Sequence, residues 1–236
     1  MSESRKATKR ARSPLATAAG SLQRRTLTDD VTDAVTALIM DDVLAPGARV
    51  NIDAVARSLG VSHTPVREAL ASLVESGLVR KESLRGFFTT PLLTTSKFAE
   101  LFEFRRMLEP WAAAQAAERG HGAARQRLRA EMRAGRGCQV GTSYDSYRAL
   151  TEHDIAFHDL LFAMAGNQLA RGAFQRTRTH MHLFRLSFAT SIASSSVVEH
   201  DVIADAVLAG DGGAAAAAMR AHLEASYARL RGAATQ

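Results

Sequence analysis

From residue 28 onward, apolar residues recur three and four positions apart. Val31, Val35, Leu38 and Ile39 fall on one helical face, with Thr28 as the predicted N-cap. Asp29 and Asp30 occupy the first turn, where the helix dipole favours acids. The turn signal Leu44-Ala45-Pro46-Gly47 is predicted to end this helix. A second, short helix is predicted from Asn51, with Ile52, Val55, Ala56 and Leu59 inward, closing at Gly60. A third opens at Thr64-Pro65, since proline is tolerated in a first turn, and runs through Val66, Ala69, Leu70 and Leu73 to Gly77. Between Leu78 and Thr90, β-prone stretches flank Ser83-Leu84-Arg85-Gly86, the pattern of a small hairpin.

Beyond Pro91 the strand signal ends. Helices are predicted at 95–119, 121–136, 143–165, 167–189, 196–209 and 211–231. The alanine-rich stretches Ala112–Ala117 and Ala214–Ala218 suit close helix packing. The expected fold class is therefore mainly α, in two domains. Residues 26–91, three helices and a hairpin, have the layout of a winged helix-turn-helix, whose third helix enters a DNA major groove while the wing touches backbone. Residues 92–231 form an all-α helical bundle.

Composition narrows the classes. With 46% apolar and 23% charged residues, the chain buries a substantial core. No apolar run reaches the eighteen or so residues of a membrane span. The basic N-terminus lacks an uninterrupted apolar stretch, so no secretory leader is expected. The single cysteine, Cys138, excludes an internal disulfide and reads as an uninvolved thiol of a cytoplasmic protein. Residues 1–25 hold seven basic residues against Glu3, a net +6, while the rest balances 23 against 23. This tail reads as a solvated leader or as a source of sequence-independent phosphate affinity. Segment 26–91 has six basic and nine acidic residues, a net −3 that is low for a DNA-binding module.

Asp154 and His158 stand four apart, so both leave one helix face; His200 and His222 lie on two later amphipathic helices. Three histidines and a carboxylate converging inside a bundle suit Zn²⁺, Ni²⁺ or Mn²⁺, although a buried histidine by itself is more often a satisfied core residue than a ligand. His180 and His182, two apart and so on opposite sides of a helix, read as incidental, as do His121 and His153. Arg105 shares a stripe with Phe98, Leu101, Leu108 and Ala112, and a buried arginine needs an anion. That anion is either Glu109, one turn away, or the carboxylate of an effector. Asn167 either orients a ligand or caps the following helix.

The string GVSHTPVREALASLVESGLV at 60–79 resembles the GntR family of bacterial transcription regulators, as do LAPGARVNIDAVARSLG upstream and RGFF at 85–88. The C-terminal half is similar to the FCD subgroup in RRMLEPWAAAQAAER, HDIAFHDLLFAMAGN, EHDVIADAVLAGD and MRAHLEA. The resemblance spans nearly all of 26–231. It implies a homodimer on a short palindromic operator in double-stranded DNA, regulated by a small carboxylate effector. It places Asp154, His158, His200 and His222 on the four positions many FCD domains use as metal ligands, and favours the effector as the partner of Arg105. In the DNA-reading half, Arg67 is expected to read a base edge, or else to pair with a nearby carboxylate. Ser62, His63 and Thr64 are expected to meet phosphate or a base, while Ser62 and Thr64 alternatively only cap the helix. Arg85 is an expected phosphate contact, or else a bland exposed charge, with Arg49 and Arg57 as weaker candidates. The family usually carries arginine at His63, and histidine cannot reproduce the bidentate fork on guanine. Two alternatives stand beside the regulator: a purely structural metal, and a metal-dependent enzyme with a DNA-binding appendage.

Overall fold

The computed structural model describes residues 26–138, 141–186 and 190–234; the basic tail 1–25 lies outside them. Three helices come first: α1 (Leu27–Met40), α2 (Ile52–Leu59) and α3 (His63–Ser76). The hairpin of β1 (Val79–Glu82) and β2 (Gly86–Thr89) follows, antiparallel, with Val79 opposite Thr89 and Glu82 opposite Gly86. Seven further helices complete the described chain: α4 (Thr95–Arg119), α5 (Gly122–Arg136), α6 (Tyr144–Ala165), α7 (Gln168–Thr177), α8 (Thr179–Leu186), α9 (Thr190–Ala209) and α10 (Gly212–Leu230). The fold is a winged helix-turn-helix followed by a helical domain.

Each domain has its own apolar core. Val31, Val35, Ile39, Val55, Val66 and Leu70 close the first, and Phe157, Leu161, Ile203, Met219 and Leu223 anchor the second. The alanines of α4 let that helix lie against α6, α9 and α10, with Ala113 and Ala116 fully buried.

Three local expectations differ, one being that α9 starts at Thr190 and not at 196. The N-cap of α1 is Thr26, not Thr28: its hydroxyl accepts from Asp29 N at 3.1 Å and the Asp29 carboxylate accepts from Thr26 N at 2.8 Å. That reciprocal box needs an acid three residues after the cap, which Thr26 has. Thr28 instead donates to Glu68 on α3 at 2.8 Å. The helix predicted over 167–189 is broken at Arg178, which adopts a left-handed backbone with φ 50°. Its guanidinium donates to the Val74 carbonyl near the end of α3, at 3.1 Å. A tertiary contact thus accompanies a conformation that side chains rarely adopt.

The domains also touch elsewhere. Arg148 on α6 pairs with Asp33 on α1 at 2.9 Å, and Asp41 accepts from the Tyr144 amide at the start of α6 at 2.7 Å. Among the described residues no helix is long and apolar enough to cross a membrane.

Candidate functional site

The winged helix-turn-helix presents a groove between α3 and the hairpin. Asn51 caps α2 by accepting from Ala54 N, and Gly60 ends it in a left-handed turn, φ 67°, which aims the chain into α3. The groove, about 830 Å³, is lined by Arg49, Asn51, Asp53, Arg67, Lys81 and Arg85, among others. Three of the predicted DNA-contacting arginines thus share one concavity, and Lys81 joins them from β1. Ser62, His63 and Thr64 are exposed at the start of α3. Ser62 holds the N-cap position without any side-chain hydrogen bond to the helix, so its hydroxyl faces solvent. His63 Nε2 lies 3.1 Å from Asp53, and Arg85 pairs with Glu82 at 2.5 Å. Arg57 is exposed on α2 and does not line the groove.

The second candidate lies in the core of the helical domain. Asp154 and His158 point inward from α6, His200 from α9 and His222 from α10. Ligand atoms of His158, His200 and His222 lie within 4.8 Å of one another, and so do those of Asp154, His158 and His180. His200 Nε2 is 3.5 Å from Asp154 Oδ1, which joins the two groups. All four predicted ligands converge. His180, read from sequence as incidental, converges with them: it is buried, and its Nδ1 contacts Asp154 Oδ2. His182 is half-buried and outside the cluster, and His121 is the exposed N-cap residue of α5.

Each of three rings is held from behind. His158 Nδ1 lies 2.7 Å from Glu109 Oε2, an ion-pair contact without hydrogen-bond alignment, and Glu109 is gripped by Arg105 through Nε at 2.5 Å and Nη2 at 3.3 Å. His222 Nδ1 lies 2.7 Å from Glu199 Oε2, and Glu199 is forked by Arg229 at 2.6 and 2.9 Å. His200 Nδ1 is 3.3 Å from His153 Nε2, and His153 Nδ1 is 2.8 Å from Glu131. Gly135 on α5 makes room for His153, because a Cβ there would run into its ring. Backing a ring at Nδ1 fixes its orientation and directs Nε2 away from the partner, the arrangement by which outer groups hold metal-binding histidines.

The electrostatics agree with the geometry. Burial pushes His158 down to about 4 in spite of Glu109, and pushes His200 well below its ordinary value with help from His222. Both rings are therefore neutral near pH 7, with lone pairs to give. Burial raises the Asp154 carboxyl, but His180, His158 and His200 outweigh it and hold the group well below its usual range. The Nε2 atoms of His158, His180 and His200 are buried without a hydrogen-bond partner. Buried polar atoms are rarely left so, and three together around an ionised carboxylate fit a divalent transition ion.

Arg105 meets Glu109, the nearer of the two anions the sequence offered, and both are almost wholly buried. Asn167 caps α7, its Oδ1 accepting from Ala170 N at 3.0 Å. Sequence reasoning missed the backing groups Glu199, His153 and Glu131. The adjacency of Glu199 to His200 and of His153 to Asp154 was their local sign.

The model of the gntR family of bacterial regulatory proteins matches residues 27–89, and that of the FCD domain matches residues 100–225. The HTH-type transcriptional regulator LutR of Bacillus subtilis (strain 168) is 28% identical over 209 residues, 79% of this chain and 93% of that protein. A regulatory protein of Escherichia coli (strain K12) named for the L-lactate dehydrogenase operon is 27% identical over 233 residues, 88% of this chain and 87% of its own. Among solved structures, E. coli McbR/YncC superposes with a TM-score of 0.63 at 19% identity, over 87% of this chain and 97% of that one.

Proposed function

The chain belongs to the gntR family of bacterial regulatory proteins and carries an FCD domain, and from that premise we propose that it is a metal-dependent, effector-controlled repressor. As a DNA-binding transcription regulator it uses α3 and the hairpin. In this reading Arg67 reads a base edge, while Arg49, Arg85 and the Ser62–Thr64 corner take phosphates. A cytoplasmic homodimer sets two such heads on a short palindrome.

The observation that carries the effector half is the group of buried, unpartnered Nε2 atoms beside Asp154. Asp154, His158, His200 and His222 would hold a divalent transition ion. Bound there, the ion supplies a Lewis acid for the carboxylate of a small organic acid. The relative named for the L-lactate dehydrogenase operon supports a short hydroxy acid as the first class to try. Arg105 enters this reading as the clamp on Glu109, since its fork is already engaged, and Asn167 as a helix cap. An effector that weakens DNA binding must itself bind the DNA-bound form less tightly.

The test is a thermal-shift screen of small carboxylic acids on metal-loaded and metal-stripped protein. A ligand that binds only the folded state raises the melting temperature by mass action. A hit that disappears on stripping, and with Asp154→Ala, supports a metal-anchored pocket. No hit, together with a large loss of stability on stripping, makes the metal purely structural and removes the effector from this site.

A further inference from the structure

Helix α8 reaches three places within four residues. Arg178, at the break before it, donates to the Val74 carbonyl and lies over Gly77, the left-handed C-cap of α3 with φ 81°. A Cβ on Gly77 would collide with the Arg178 guanidinium, so the glycine that ends α3 is also the seat of the arginine. Met181 packs against the apolar core of the winged helix-turn-helix. His180 turns the other way, and its Nδ1 contacts Asp154 Oδ2 in the histidine cluster. It also lines an inter-domain cavity of about 550 Å³, together with Ser76 and Leu78 on one side and Phe174 and Thr179 on the other. His180 is thus the wall between that cavity and the cluster.

We propose that His180 belongs to the metal centre as the positioning residue for Asp154, and that α8 conveys metal occupancy to the end of the recognition helix through Arg178. The proposal rests on the metal reading above. An ionised carboxylate only accepts hydrogen bonds, so His180 Nδ1–H donates to Oδ2 and leaves Oδ1, the oxygen facing His200, for the ion. His180 lies two residues after Arg178, whose own backbone is left-handed, so one cannot shift far without moving the other. Arg178 in turn holds the last turn of α3, the helix that enters DNA. What binds beside Asp154 therefore biases the end of α3, and by linkage DNA binding alters affinity at the cluster by the same factor.

The test uses the full chain with Co²⁺ as probe, read by its absorption spectrum and by competition for affinity. Hydrogen exchange of the 70–78 segment is measured with and without the ion. His180→Ala is expected to weaken Co²⁺ binding by about ten- to a hundred-fold. His180→Asn, which keeps a donor near the Nδ1 position, is expected to recover part of that loss. Arg178→Gly tolerates the left-handed backbone. It should bind Co²⁺ like wild type but lose the slowing of exchange at 70–78 that the ion causes in wild type. Wild type that takes up no Co²⁺ defeats the metal reading itself. Wild type that binds, with His180→Ala and His180→Asn matching it in affinity and spectrum, overturns the role of His180. Exchange at 70–78 that ignores the ion in wild type, or follows it equally in Arg178→Gly, overturns the coupling.

Discussion

Glu109 and His158 meet 2.7 Å apart on facing helices, α4 and α6, with Arg105 donating to both oxygens of the same carboxylate. The Glu109 carboxyl is buried, which alone would raise it. Arg105 and His158 outweigh that and hold it far below the usual range. One ionised side chain therefore neutralises a buried guanidinium and orients a ring of the cluster. Glu109→Gln should do damage on both counts. Leaving a buried charge without its partner costs about 3–5 kcal/mol. Denaturant unfolding of the metal-free chain should show a loss of that order, and the double variant Glu109→Gln/Arg105→Met should regain much of it. A loss below about 1 kcal/mol in the single variant would show that Arg105 has another anion.

Acid should destabilise the metal-free protein early. The folded-state value of His158 lies near 4, below the ordinary imidazole value, so the unfolded chain binds more protons between the two. Stability is then fully present above pH 6.5 or so and falls as pH drops toward 4, by roughly 3 kcal/mol from this ring. His200 shifts in the same direction and adds to the loss. Melting curves between pH 7.5 and 4.5 check the sign. A melting temperature that holds flat to pH 5 would contradict neutral buried rings.

Gly135→Ala separates packing from helix propensity. On propensity alone, alanine within α5 should stabilise by up to about 1 kcal/mol. Here the added Cβ meets the His153 ring, which backs His200. The variant should instead melt lower than wild type and bind Co²⁺ more weakly. A rise in melting temperature with unchanged affinity would mean the ring gives way freely.

In the DNA-reading half, Arg67 and Arg85 line one groove but should fail differently. Arg67→Ala should cost about 1–3 kcal/mol and relax preference at one base position. Arg85→Ala should weaken binding evenly across sequences and lower the salt slope by about one phosphate contact. Binding titrations over a set of single-base operator variants, at several salt concentrations, decide between the two patterns. An even loss for Arg67→Ala would place it on the phosphates.

Helix periodicity is a local property, so sequence alone determined most of the architecture here. The third helix, the hairpin and the helices carrying Asp154, His158 and His222 stand where their apolar spacing put them, while the helix carrying His200 begins six residues earlier, at Thr190. The convergence of those four residues was legible for a different reason, because the motifs that carry them match a known family in order. Tertiary structure decided the rest. Two histidines two apart cannot both face a core, which made His180 and His182 look incidental; but one of them can, and packing selected His180. The break at Arg178 was invisible because nothing near it in sequence is a turn residue; its partner, Val74, is more than a hundred positions away. Glu199, His153 and Glu131 became backing groups only once α5, α6, α9 and α10 had packed. Hydrogen bonds between helices depend on how the helices are rotated about their axes, and that is set by the whole core at once.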